Sequence, residues 1–186
     1  MEWLNEPKLW NASGDTISLT TEDKTDFWQN TFYGFQHDNG HFCFAKVSGD
    51  FTAEVSLEAA YEHLYDQAGL MLRFSERHWI KAGVEFVDGK CRLATVLTRD
   101  LSDWALGPEV DRRATLRLRM TRMSDVVCVQ WAPGDLASHY ETLRLGPIAQ
   151  GDAMVGPMSC SPTRAGLITT FTNFRIGPAV DFASAV

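Results

Sequence analysis

The stretch Asp66–Trp104, DQAGLMLRFSERHWIKAGVEFVDGKCRLATVLTRDLSDW, decides the fold. Asp88-Gly89 stands between two alternating runs, and Asp-Gly in that position signals a two-residue hairpin turn, because glycine accepts the positive φ such a turn demands. The turn sets the register: Val87 opposes Lys90, Glu85 opposes Arg92, Lys81 opposes Val96 and Trp79 opposes Thr98. Opposed residues share a face, so Ile80, Ala82, Val84 and Phe86 join Cys91, Leu93, Thr95 and Leu97 on one apolar side. The strand before them is to bring Ala68, Leu70, Leu72 and Phe74 to that side through a three-residue loop, Glu76-Arg77-His78. A four-residue loop would turn all four outward. This register sets Gly69 opposite Glu85. The other face of the three-strand meander carries Gln67, Gly69, Met71, Arg73, Trp79, Lys81, Gly83, Glu85, Arg92, Ala94, Val96 and Thr98.

Strand signals run through nearly the whole chain. They cover residues 16–20, 41–47 after the Asp38-Asn39-Gly40 turn, 51–59, 115–121, 126–131, 142–145, 154–160 and 166–176. In Phe51–Ala59, Phe51, Ala53, Val55, Leu57 and Ala59 face one way and Thr52, Glu54, Ser56 and Glu58 the other. No amphipathic helix longer than a turn or two is evident. Strands separated by Gly, Pro and Asp define an all-β sandwich or barrel. Residues 1–177 read as one sandwich domain and 178–186, which lose the alternation after Gly177-Pro178, as a peripheral tail.

Composition narrows the function classes. Of 186 residues, 45% are hydrophobic and 22% charged, which describes a globular protein able to bury a core without staples. The formal charge of −7 argues against nucleic acid. Cysteines 43, 91, 128 and 160 form no CxxC pair and no metal-ligand spacing, so they read as reduced and unpaired, and no metal or cofactor is implied. The N-terminus lacks a basic region followed by an apolar run, and no segment approaches the ~18 apolar residues of a membrane span. The expectation is a cytoplasmic protein that engages no membrane.

Several fragments together carry a resemblance: Trp3 with Asn5-Glu6-Pro7, Thr25-Asp26-Phe27-Trp28, Tyr33-Gly34-Phe35, Asp66-Gln67-Ala68-Gly69-Leu70, Trp79–Glu85, Ser102-Asp103-Trp104 and Cys160-Ser161-Pro162. In this order, over roughly residues 3–176, the chain resembles the uncharacterised domain family that includes the fungal regulation-of-enolase protein. The resemblance implies a concanavalin A-like (jelly-roll) sandwich of two antiparallel sheets, the fold of many lectins and glucanases. It implies no catalytic site, since fold alone does not carry function. Where many relatives have an Asp-Gly-x-x-Trp loop near the late strands, this chain has Ala132-Pro133-Gly134-Asp135-Leu136.

Paired carboxylates are the first chemistry to seek in such a sandwich, because retaining hydrolysis needs two carboxyls ~5 Å apart. Glu54 and Glu58 lie four residues apart on one strand, a span of ~13 Å, too far to pair. Histidines 37, 41, 63, 78 and 139 are dispersed and form no ligand motif. Six tryptophans suggest more: sugar rings set apolar C–H faces on aromatic plates while their hydroxyls bond Asp, Gln, Arg and Glu. The reading is a lectin-like domain binding a small polar ligand, a saccharide or sugar derivative, on the open sheet face. Its contacts are to be Gln67, Trp79, Lys81, Glu85 and Trp104, supported by Asp66, Asp103 and Arg117, with Lys81 and Glu85 in one concave pocket and Gly83 leaving room. Two alternatives compete: a glycoside hydrolase or other carbohydrate-active enzyme using Glu85 with Asp66 or Asp103, and a protein-interaction module, such as a dimer interface, with no small-molecule site. An ordinary solvated sheet face, with Glu85 and Arg92 as a cross-strand ion pair, is the plain counterpart to all three.

Overall fold

Asp88 and Gly89 adopt φ of 53° and 76°, the pair of positive values that a two-residue hairpin requires, in the computed structural model, which describes residues 1–134 and 139–182. The hairpin joins β9 (His78–Val87) to β10 (Lys90–Arg99) with Val87 on Lys90, Glu85 on Arg92, Lys81 on Val96 and Trp79 on Thr98, as the turn dictates. On its other edge β9 pairs with β8 (Gln67–Ser75), but the connection differs from the expected one. A two-residue turn follows Ser75, and a bulge between Arg73 and Ser75 absorbs the odd residue. The bulge preserves which face each side chain takes while sliding the register by two: Gln67 stands opposite Glu85, and Gly69 opposite Gly83. Ala68, Leu70, Leu72, Ile80 and Val84 are buried; Phe86 is half-buried, with the Arg112 guanidinium over its ring.

These strands form the middle of a seven-stranded antiparallel front sheet. Its order is β1 (Glu2–Leu4), β6 (His41–Val47), β15 (Ala153–Cys160), β8, β9, β10 and β11 (Leu101–Glu109). A seven-stranded back sheet runs β14 (Glu141–Pro147), β13 (Val126–Pro133), β12 (Leu116–Met123), β7 (Phe51–Ala59), β16 (Ile168–Gly177), β3 (Thr16–Thr20) and β2 (Leu9–Ser13). The inner faces meet in one core, in which Leu70, Leu72, Ile80 and Leu93 of the front pack on Val55, Leu57, Leu118 and Phe171 of the back. The fold is therefore an all-β sandwich of two antiparallel sheets. Among the described residues no helix is long and apolar enough to cross a membrane.

Two features escape the strand alternation. A short ribbon, β4 (Phe27–Gln29) and β5 (Gln36–Asp38), lies over part of the front sheet's outer face. Beneath it sits a second apolar cluster of Phe27, Phe42, Phe44, Met71, Trp79, Val96, Met158 and Cys160. On the back sheet's outer face, Glu54 and Ser56 are buried as well, because Arg117 and Tyr140 bond to them there. The cysteines are all buried and unbridged. Of the loop that departs from the relatives' pattern, Asp135 and Leu136 lie outside the described residues. In the tail, the Val180 N–H donates to Thr52 Oγ1 at 2.9 Å, and residues 183–186 lie outside the described ones.

Candidate ligand-binding site

The ribbon covers only part of the front sheet, and the uncovered part becomes a cavity of about 360 Å³. Its floor belongs to the sheet: Gln67 from β8, Lys81 and Glu85 from β9, Val96 from β10 and Trp104 from β11. One wall is the ribbon and its approaches, with Asp26, Trp28, Tyr33, Phe35 and His37; the opposite wall is Tyr65, Pro162 and Thr163, and Lys24 reaches the rim. The volume lies in the range of small-molecule sites, and apolar walls with a few convergent polar groups are their usual chemistry.

Buried polar joints hold the ribbon in place. Arg73 donates to both oxygens of Asp38, at 2.5 and 2.8 Å, and the backbone N–H of Gln29 donates to Ser102 Oγ at 2.9 Å. Lys81 Nζ, reaching up from the floor, donates to Asp26 Oδ1 at 2.9 Å and to the Phe27 carbonyl at 2.8 Å. Burial alone would lower the Lys81 pKa, but Asp26, Cys160 and Glu85 together outweigh it and hold the ammonium above its ordinary value. Lys81 is thus a charged strut between sheet and ribbon as well as a lining residue.

Glu85 has a different environment. Its Oε2 accepts the Trp104 indole N–H at 3.0 Å, and its cross-strand neighbour Arg92 turns away to donate to the Gly107 carbonyl at 2.7 and 3.1 Å. The expected Glu85–Arg92 pair is therefore adjacent in register but carries no ion pair. Burial pushes the Glu85 carboxyl up to about 7, against the opposing pull of Lys81 and of the Trp104 N–H. A carboxyl that titrates near neutrality can donate or accept a proton at working pH.

The mouth is strained and aromatic. Asn30, Phe32 and Tyr65 adopt φ of 59°, 64° and 67°, values that cost energy for residues other than glycine. Tyr33 stacks on Phe35 with ring centroids 5.1 Å apart, and its hydroxyl meets that of Tyr65 at 3.5 Å.

Of the residues proposed from sequence, Gln67, Lys81, Glu85 and Trp104 come together in the cavity. Trp79 does not line it. The ribbon buries Trp79 completely, its ring 6.3 Å from Phe27 and its N–H donating to the Glu76 carbonyl, so it is no stacking plate. Asp66, also fully buried, accepts from the backbone N–H groups of Glu62 and His63, from Ser161 and from Arg164, and serves as a staple between two loops. Asp103 pairs with Arg144 at 2.7 Å away from the cavity, and Arg117 belongs to the back sheet, where it bonds Ser56 and Glu54. Of the proposed depression over Gly69, Gly83 and Ala94, only a hollow of about 10 Å³ beside Gly83 and Ala94 exists. Here the glycines serve close strand approach: a Cβ at Gly83 would fall 2.0 Å from the Ala68 carbonyl oxygen, and one at Gly69 the same distance from that of Ala82. Ligand room comes instead from the gap beside the ribbon.

Asp26, Trp28, Tyr33, Phe35, His37 and Tyr65 were not read as site residues. Their signal lay in the fragments Thr25–Trp28 and Tyr33–Phe35, which converge on the wall of the same cavity.

Two large antiparallel sheets packed face to face define the β-sandwich class whose fold lectins and glucanases share, here with an aromatic-walled, polar-floored cavity on one outer face. Within that class, the chain belongs to the family described as protein of unknown function (DUF1349), which residues 3–179 match. It is 40% identical over 175 residues, 94% of this chain and 87% of the other, to Regulation of enolase protein 1 of Saccharomyces cerevisiae. A crystal structure of a functionally unknown protein from Saccharomyces cerevisiae superposes with a TM-score of 0.92 at 39% identity, covering 97% of both chains. The GH43 protein BlXynB of Bacillus licheniformis matches at 14% identity with a TM-score of 0.69, over 94% of this chain and 36% of that one, a likeness of fold alone.

Proposed function

We propose that the front-sheet cavity binds a small polar ligand, a saccharide or sugar derivative, between its aromatic walls and its Gln67–Lys81–Glu85 floor. One observation carries this reading: a cavity of about 360 Å³ in which rings of Trp28, Tyr33, Tyr65 and Trp104 surround buried polar side chains. A sugar offers both surfaces that this mixture fits, apolar C–H faces for the rings and hydroxyls for the floor. A binding role accords with the name of the yeast relative, which speaks of regulation. We take the protein to be cytoplasmic, a reading supported by four unbridged cysteines. The test is a calorimetric screen of mono- and disaccharides against the wild type and Tyr33→Ala. Tyr33 is half-exposed at the mouth, so its loss should weaken binding by about tenfold without unfolding the domain. A sugar held equally well by Tyr33→Ala would bind elsewhere.

A carbohydrate-active enzyme is the second reading, favoured by the near-neutral titration of Glu85. Its second carboxyl would be Asp26, which lines the cavity with Glu85 where Asp66 and Asp103 do not. Glu85→Gln would then abolish turnover and leave ligand affinity in place.

A further inference from the structure

On the floor and the ribbon wall of the cavity, three side-chain oxygens have no protein donor. Glu85 is 94% buried, being 6% exposed, and its Oε2 takes the Trp104 N–H while Oε1 takes none. Oε1 is not among the sealed unpaired atoms of the interior, so it is reached from the cavity that Glu85 lines. Gln67 donates its amide N–H to the Tyr65 carbonyl and leaves its own Oε1 free. Asp26 Oδ1 accepts from both Lys81 and the Phe27 N–H, and Oδ2 accepts from neither. Lys81, the cation of the floor, already serves Asp26 and the Phe27 carbonyl with two of its three N–H groups. With Lys81 and Asp26 cancelling one another, an ionised Glu85 has no opposite charge of its own. Around it stand aromatic rings, whose electron-rich faces attract cations.

Resting on the saccharide reading, we infer that the ligand carries a positive charge, a protonated amine on a sugar-like skeleton, seated on Glu85 Oε1 and enclosed by the aromatic walls. A neutral polyol satisfies the free acceptors but leaves the carboxylate unmatched. An anion seated on the floor beside Glu85 would meet those oxygens.

The charge of Glu85 couples this binding to pH. The groups that face it are Lys81 on its own strand, Asp26 from the ribbon, Cys160 of β15, Tyr65 across the mouth, Arg92 on β10 turned to the Gly107 carbonyl, and Lys24 and His37 at the rim. Because burial holds the carboxyl near 7, a cation that needs it ionised should bind about tenfold more tightly at pH 8 than at pH 6.

The experiment is titration calorimetry on the full chain with glucose, N-acetylglucosamine and glucosamine at pH 7, and with choline, whose charge does not titrate, at pH 6 and 8. Glucosamine should bind at least tenfold more tightly than the two neutral sugars, and choline should gain about tenfold across the pH step. Both differences should vanish in Glu85→Gln. Neutral sugars that match glucosamine overturn the charge inference and leave the saccharide reading standing. Choline binding as tightly as glucosamine, with the neutral sugars silent, upholds the charge and retires the sugar. Failure of both cations overturns the inference, and so does a pH step that persists in Glu85→Gln.

Discussion

Glu54 and Glu85 are the same residue on the outer faces of opposite sheets, 4% and 6% exposed, yet their surroundings shift their carboxyls in opposite directions. Glu54 receives the guanidinium groups of Arg117, Arg119 and Arg175 and the Tyr140 hydroxyl. Burial pulls its carboxyl up, but the Tyr140, Arg119 and Arg175 hydrogen bonds win and hold it at about 2. Glu85 has one indole N–H, a lysine already paired with Asp26, and a cavity; burial wins, and it titrates near 7. Equal burial with unequal pairing separates a structural carboxylate from a chemically available one. The back-sheet glutamate knits its face closed. The front-sheet one is left facing a ligand-sized space.

The comparison breaks most visibly at Glu54. Glu54→Ala leaves three arginines around an empty position and should cost about 3–5 kcal/mol in urea unfolding at neutral pH. Its folded pKa lies below the ordinary 4.5, so this stabilisation is complete above about 4.5 and lost as pH falls towards 2. A loss under about 1 kcal/mol would mean that the arginines need no carboxylate.

Glu85→Gln should move stability the other way. The folded pKa near 7 lies above 4.5, so the stability from burying a protonated Glu85 is fully present below about 4.5 and declines as pH rises through 7. At pH 8 the ionised wild type should be less stable than the Gln variant by on the order of 3 kcal/mol, and the difference should fade by pH 4.5. Thermal unfolding across that range reads it directly. A variant less stable than the wild type at pH 8 would show that the ionised carboxylate supports the fold.

Trp104→Phe removes the N–H that lowers the Glu85 pKa, and should raise its titration by about one unit while leaving most of the wall intact. Carboxyl-carbon NMR against pH measures this. Smallest of all, Asp103→Asn breaks a pair with Arg144 whose carboxylate side is 66% exposed, and should cost no more than about 1 kcal/mol. A larger cost would give Asp103 the structural weight seen at Glu54.

Much of the front sheet was legible because its determinants are local. The Asp88-Gly89 turn and the two-residue side-chain period place Lys81 and Glu85 on one face and Ile80 and Val84 on the other. The Arg73–Ser75 bulge was not legible: a three-residue loop and a two-residue turn with a bulge expose the same faces, so alternation cannot tell them apart. Arg117 and Asp103 were misassigned for a related reason. Alternation says which face of a strand a side chain takes, and leaves open which sheet, and which end of it, the strand occupies.

The sequence by itself determined the all-β class, the β9–β10 register and the shared face of Gln67, Lys81 and Glu85, because turn chemistry and pleat act between residues adjacent along the chain. Only the tertiary structure decided what that face became. Lys81 meets Asp26 across 55 positions of sequence, and Arg73 meets Asp38 across 35. Those joints lay the ribbon over Trp79, sealing what looked like an open plate, and stand Trp28 and Asp26 up as the wall of a cavity. No periodicity encodes that step. It depends on which distant segment satisfies a buried charge, and that is settled only when the chain has closed on itself.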